Sequence, residues 1–492
     1  MTTWLARRSS RADPRSAVAS TIVAFVSTSA LAFVLGLASS SEIMTWLDLD
    51  SPDADISPVV VATALVTTAV LIRVHALAVR GDEVETALLA AAGARPVELI
   101  RLSLVRAGGS AVLGAVLAAP FAHVLVLTLA RPSLEAVVPL PVLLIGGNLS
   151  WVCSAAFVVA LSLLSARLAA SRSATRLPAR VLRGDGADRT AAVAPTAGRV
   201  AIVVAMWLVF GLPVVALVLV WDGLEALVTS REGLFDEADV VAFSELAFFT
   251  PALRILALHS TTGMVSVVSL VVLQPSIAPW FVRFWTRLVP SGRGIAWRIT
   301  KARAVRGTVA GVSTTVTVGL FVGLVMVTGS ALDLGFVFGA APADASASTW
   351  SQTALALGPA STVALAGAAA ATLLRGPRRD PDRRHLSAHG ARPSVSRRIA
   401  LVDGVVVVST ASLPVGLVVA TSTGLSLVLA VVTGVPVTPT TPNVLPVVAA
   451  AALATVVVVG ATATAHRFDR GPLSGPRTRS ATARATARRS RR

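Results

Sequence analysis

The sequence predicts an all-α integral membrane protein with about ten transmembrane helices. Three observations carry that prediction. Of 492 residues, 54% are hydrophobic and only 14% are charged, whereas a soluble domain carries roughly 25% charged residues. Apolar runs of eighteen or more residues recur along the whole chain, the length needed to cross a bilayer. The basic residues alternate with those runs in the manner that orients membrane proteins.

The runs fall at 17–39, 58–79, 105–129, 139–165, 198–220, 259–282, 308–330, 351–374, 401–432 and 443–465. With the N-terminus inside, only Arg131, Arg231 and Arg254 lie in outer segments, and Arg73 sits within the second span. Acids gather outside instead, at Glu42, Asp48, Asp50, Asp53 and Asp55 in the first outer loop and at Asp236, Glu237 and Asp239 in the third. Both termini are therefore expected in the cytoplasm of a bacterial cell. The net charge of +17 follows from this distribution and points to the bilayer, not to nucleic acid. The first run follows Arg7, Arg8, Arg11 and Arg15 but exceeds a signal-peptide core, so it is expected to remain as a helix. The single cysteine, Cys153, lies in an apolar run and excludes an internal disulfide.

The tetrapeptide Gly-Ala-Arg-Pro occurs at 93–96 and again at 390–393, a shift of 297 residues. The same shift lays Glu83 on Asp380, Glu85 on Asp382, Leu89 on Leu386, Arg101 on Arg398 and Leu104 on Leu401. It also superimposes the second span on the eighth and the third on the ninth. The expected organisation is 4+2+4. A cytoplasmic start (1–16) leads into a first four-helix unit (17–197) and two connecting helices with an acidic outer loop (198–307). A second four-helix unit (308–466) and a basic tail (467–492) follow. Such units are related by an axis along the membrane normal. No outer loop is long enough for a large extracellular domain.

Each Gly-Ala-Arg-Pro motif falls in the loop between the second and third helices of its unit. In the first copy Asp82, Glu83 and Glu85 suit a helix N-terminus. Leu88, Leu89 and Ala92 form a short apolar face, Gly93 supplies a stop, and Pro96 opens the next helix. The second copy has Pro381 in its early turn and Gly390 at the stop. Each unit is thus expected to carry a short capped helix on its cytoplasmic side.

Glu85-Thr86-Ala87-Leu88-Leu89-Ala90-Ala91-Ala92-Gly93-Ala94, followed by Ile100, resembles the cytoplasmic loop of the FtsX-like permeases. So do Leu164 to Ala170 and Pro178 to Arg183 after the fourth span. The resemblance covers about residues 60–185 and, more weakly, the second unit. It departs at Ala90, where the family has an arginine, and at Arg383, Arg384 and His385. It implies the membrane subunit of an ABC transporter, with a separate ATPase dimer docking on the short helices. ATP and magnesium would bind in that partner, and this chain would hold no cofactor. The chain would export or extract an amphipathic molecule, with a small cationic peptide as one candidate. By this resemblance Glu85, Leu88, Leu89, Gly93 and Arg95 couple one unit to the ATPase, and Asp382, Leu386, Gly390 and Arg392 couple the other. The family often has an acid thirteen residues after the motif glycine. Asp403 fits that slot while Arg106 occupies it in the first unit, so the two can pair across the repeat axis or each can snorkel to the cytoplasmic interface.

No catalytic or metal site is expected. The lone lysine, Lys301, lacks a phosphate-binding glycine loop. His385 and His389 have no third ligand. His75, His123 and His259 are expected to make hydrogen bonds between helices. Two other readings share these features: a mechanotransmitting permease that controls an outer partner, and an ATP-independent sensor or scaffold.

Overall fold

The computed structural model describes residues 14–46, 57–125, 140–174, 196–213, 215–216, 251–288, 308–338, 346–375, 393–437 and 445–469. These residues are helical throughout apart from short turns, with no strand among them. The helices are α1 (Pro14–Trp46), α2 (Ser57–Gly81), α3 (Glu83–Ala91), α4 (Pro96–Leu125), α5 (Leu140–Ala174), α6 (Thr196–Met206), α7 (Pro251–Leu288), α8 (Thr308–Val337), α9 (Ser346–Arg375), α10 (Pro393–Val432) and α11 (Leu445–Asp469).

Seven of these contain stretches long and apolar enough to cross a bilayer: Pro14–Ala38, Val59–Gly81, Pro96–Val124, Asn148–Ala174, Arg254–Gln274, Thr314–Gly335 and Leu401–Val432. Shorter apolar stretches occur at Gly198–Val209, Gly358–Leu374 and Val448–Thr464. Each predicted span overlaps one of these helices. Several helices outrun the prediction, because nothing in their flanking sequence breaks them. Helix α7 has 38 residues and α10 has 40, about 57 and 60 Å at 1.5 Å per residue, against a hydrocarbon core of about 30 Å. Helix α1 continues to Trp46, so part of the predicted first outer loop is helical. After α6 the backbone makes a π-helical turn, Trp207–Gly211. Pro213 follows it, and a proline removes an amide donor and crowds the carbonyl four residues back.

The surface is apolar. Leu113, Val116 and Leu117 on α4, and Leu417, Leu425 and Val428 on α10, are all at least half exposed. The interior, by contrast, takes hydroxyls: Ser27, Thr28, Thr63, Thr67 and Ser154 are fully buried. Apolar outside and hydroxylated inside is the distribution that lipid imposes, and the chain is a multi-pass membrane protein by this criterion.

The helix contacts recur in a pattern. Helix α1 packs on α2, α4 and α5, while α5 also packs on α2 and α4. In the second half α8 packs on α9, α10 and α11, while α11 also packs on α9 and α10. The halves meet chiefly through α9, which packs on both α1 and α2. One core runs through both, with Val23, Leu71, Val74, Phe321, Leu324, Val363 and Leu373 among its members. Helix α7 packs on α8 and α10, and α6 packs on α7.

Close approach replaces bulk at the junction. A Cβ on Gly367 of α9 would stand 2.6 Å from Val70 Cγ1 and 3.2 Å from Thr317 Cγ2. One on Gly114 of α4 would stand 2.7 Å from Ala24 Cβ and from the Thr21 carbonyl oxygen. Gly367→Leu is therefore expected to push the halves apart at a cost of about 1–3 kcal/mol. Detergent-solubilised protein followed by fluorescence size-exclusion chromatography on heating should lose several degrees of stability. Gly109→Leu, at a position with no neighbour within 4 Å, should lose little.

Candidate functional site: a capped helix at the end of the first unit

Helix α3 follows α2 after a single residue, Asp82, and leads through Gly93 into α4. Its end is a Schellman motif. The Ala94 amide donates to the Leu89 carbonyl and the Gly93 amide to the Ala90 carbonyl, each at 3.0 Å. Gly93 closes it at φ +94°, a region that costs a side chain with Cβ about 1–2 kcal/mol. Space around its Cα is open, so conformation alone selects glycine there. The next helix opens with half of a capping box, the Arg95 amide donating to Glu98 Oε2 at 3.0 Å. Pro96 occupies the first helical position, where the missing amide is not needed.

The inner face of α3 carries Glu83 and Ala87, both buried. Thr86 closes back through its hydroxyl onto the Asp82 and Glu83 carbonyls at 3.1 and 3.0 Å. This face sits where the ends of α2, α4 and α5 meet, over a groove lined by Val79, Leu99, Ser103, Ala170 and Ala174. The outer face carries Leu88, 56% exposed, and Val97 at the start of α4 is 58% exposed. Leu89 is half-buried and Arg95 exposed.

Arg106 holds the junction together. From α4, Nη1 donates to Asp82 Oδ2 at 2.8 Å and Nη2 to Glu85 Oε1 at 2.9 Å. The Arg106 and Asp82 side chains are mostly buried, while Glu85 is more open. The guanidinium thus bridges the last turn of α2 and the first turn of α3 to the helix running back alongside them. The sequence offered either a pair with Asp403 or two side chains snorkelling to the interface; the ion pairs of Arg106 with Asp82 and Glu85 lie within the first unit. The reason is geometric: Asp82 and Arg106 lie at similar helical rises on either side of the reversal at Gly93, so an antiparallel return sets them side by side. Asp82, read from the sequence as part of an acidic helix start, also pairs with Arg106, and the sequence reading left Glu98 unassigned. Asp82 lies eleven residues before the stop and Arg106 thirteen after it, a near-symmetric spacing that signals the pair, and Pro-Val-Glu after an N-cap signals Glu98.

Asp403 lies on α10, half-buried. Asp382, Leu386, Gly390 and Arg392, and the acidic loop with Asp236, Glu237 and Asp239, lie outside the described residues. His259 bridges three helices, its Nε2 at 2.8 Å from Ser330 Oγ on α8 and its Nδ1 at 3.2 Å from Ser426 Oγ on α10. His123 Nε2 meets Asn148 Oδ1 at 3.0 Å between α4 and α5, whereas His75 Nδ1 donates to the Leu71 carbonyl of its own helix at 2.9 Å.

The chain matches no family model, no curated protein and no solved structure. The site is therefore read from its own geometry.

Arg106→Gln is expected to release α3 from α4. Loss of a partly buried bridge of this kind costs about 1–2 kcal/mol, a five- to thirty-fold rise in local opening. Hydrogen–deuterium exchange should show it as faster exchange of the amides from Thr86 to Ala94, with α10 unchanged. Gly93→Val should accelerate the same amides by breaking the stop.

Proposed function

We propose that the chain is the membrane permease subunit of an ABC transporter of the FtsX-like class, with ten spans in a 4+2+4 arrangement and both termini cytoplasmic. A separate ATPase dimer, holding ATP and magnesium, docks on the short loop helices. Its closure is coupled to export or extraction of an amphipathic molecule. The observation that carries this reading is α3: a capped helix braced on its inner face and presenting Leu88 outward, beside Val97. A mere reversal between two helices needs no such bracing. The recurrence of the same helix pairings in both halves, together with the 297-residue sequence shift, supports two related units in one chain. Arginines at the ends of α2, α5 and α7 and at the starts of α4, α6 and α10 support the orientation.

In this reading Leu88 enters a groove of the ATPase, Gly93 sets the angle at which α3 meets α4, and Arg106 carries displacement of α3 into α4. Glu85 and Arg95 meet polar groups of the partner, and Asp382, Leu386, Gly390 and Arg392 serve the second unit in the same manner.

The test is recovery of a tagged chain from its native membrane in mild detergent, with mass spectrometry of what accompanies it. A Walker-type ATPase should accompany the native chain. Leu88→Asp should reduce its recovery by about thirtyfold, as expected for a buried interface anchor worth about 2 kcal/mol. Leu386→Asp should weaken the second contact. If no ATPase is recovered even after crosslinking and trapping with an ATP analogue, the transporter reading fails and an ATP-independent sensor or scaffold takes its place.

A further inference from the structure

Three buried hydroxyls of the first unit come to one level. Ser27 lies on α1, Thr63 on α2 and Ser154 on α5, each fully buried, and these three helices pack on one another pairwise. All three line the same core. Ser27 stands one turn after Val23 and one turn before Leu31, Thr63 two turns before Leu71, and Ser154 one turn before Val158. Val23, Leu31, Leu71 and Val158 belong to a single apolar cluster.

Contacts with neighbouring residues set the level. On α4 a Cβ at Gly114 would stand 2.7 Å from Ala24 Cβ of α1, and one at Gly108 would stand 3.1 Å from Leu163 Cδ2 of α5. Helix α5 runs back along α4, since His123 near the end of α4 meets Asn148 near the start of α5. The six residues from Gly108 to Gly114 therefore bring Ala24 beside residue 157 of α5. Three residues further toward the same end, Ser27 and Ser154 come level. Val79 of α2 and Ala170 of α5 line one groove. Thr63 lies sixteen residues before the first and Ser154 sixteen before the second, so these two are level as well.

None of the three hydroxyls makes a hydrogen bond among the described residues. A serine or threonine inside a helix ordinarily closes on a carbonyl one turn back. Thr372, Thr410 and Thr462 do so in the second half. Thr67, Ser162 and Ser165 are unpaired in the same way, one to three turns further along α2 and α5. A buried hydroxyl without a partner favours any arrangement that supplies one, so the contact between α1, α2 and α5 is poised to admit a hydrogen-bonding group. Neutral donors and acceptors suit a hydroxyl or an amide, whereas a bare charge entering the interior needs a counter-charge.

We propose that Ser27, Thr63 and Ser154 receive the uncharged hydrogen-bonding groups, hydroxyl or amide, of an amphipathic molecule when α1, α2 and α5 part. The site rests on the transport reading above and places the route within the first unit.

The test uses the full chain in lipid nanodiscs, with the exposed Cys153 first replaced by alanine. Ser27→Cys, Thr63→Cys and Ser154→Cys then each add one thiol, and a water-soluble methanethiosulfonate reagent reports when water reaches it. The control is Thr410→Cys, at a buried position whose hydroxyl closes on the Val406 carbonyl. All three first-unit thiols should react about tenfold faster than the control, as local opening between α1, α2 and α5 requires. Octyl glucoside, whose head is uncharged and hydroxylated, should slow all three by about threefold when it fills two-thirds of the sites. Decyltrimethylammonium, whose head donates no hydrogen bond, should not. Three positions on three helices are read separately, so one variant that fails to fold leaves two. Reaction no faster than in Thr410→Cys would overturn the route, and equal protection by both amphiphiles, or by neither, would overturn the ligand class. The labelling needs no ATPase, so the two readings fail separately: labelling without a recovered ATPase sinks the transporter, and an ATPase without labelling sinks this site alone.

Discussion

Lipid gives helices no reason to associate through hydrophobicity, since acyl chains are as apolar as leucine. This bundle depends instead on how closely its backbones approach. The buried side of α9 reads Ala360, Ala364, Gly367, Ala368 and Ala371, and that side joins the two halves. Val70 reaches almost to the backbone at Gly367, and Ala24 does the same at Gly114. Once small residues occupy the contacts, branched and long side chains are left to face lipid. Hydroxyls also lie inside: those of Ser27, Thr28, Thr63, Thr67 and Ser154 make no hydrogen bond among the described residues, while others return the proton to a carbonyl one turn back. Thr372, Thr410 and Thr462 do this at 2.6 to 2.7 Å. Packing and surface follow from one constraint.

Against that background, side-chain contacts between polar groups of different helices mark where elements are tied together. His259 ties α7 to α8 and α10 through serine hydroxyls, so the second connecting helix belongs mechanically to the second half. Arg199 ties α6 to α7. Arg106 ties the junction of α2 and α3 to α4. The His259 contacts are made with hydroxyls, tolerable at depth, and Arg199 lies in the first turn of its helix. The Arg106 bridge involves full charges and lies at a helix end, where Glu85 reaches solvent and the desolvation cost is smaller.

Helix existence was legible because apolar runs of this length have one structural outcome in lipid. The stop at Gly93 and the start at Pro96 were legible because each is a local backbone requirement: positive φ, and an amide that can be spared. Helix lengths were less so. A hydropathy window ends where polarity rises, but α7 and α10 continue through Arg283 and Arg398 because arginine is a good helix former. The pairs of Arg106 with Asp82 and Glu85 were illegible from repeat alignment, because they follow the fold of a local hairpin. Alignment between repeats shows which positions correspond, not which ones touch.

The correspondence between repeats carries one further consequence for the proposed docking. At the same shift Asp82 falls on Arg379 and Arg106 on Asp403, so both positions reverse sign. The first loop has Asp82, Glu83 and Glu85, with Arg106 neutralising part of their charge. The second has Arg378, Arg379, Arg383 and Arg384 against Asp380 and Asp382. Exposed Leu88 corresponds to His385, while half-buried Leu89 corresponds to Leu386. The two loops therefore share a glycine and a leucine in sequence but differ in charge. An ATPase dimer with two identical grooves would meet an apolar, acidic helix at one and a basic segment at the other. The shared elements could give both sites affinity. Opposed charges would then fix which subunit faces which loop, because like-charge contact is costly where complementary contact is not. On this argument a single chain carrying both units favours an ATPase pair of unlike subunits, or one orientation of a pair whose grooves tolerate either sign.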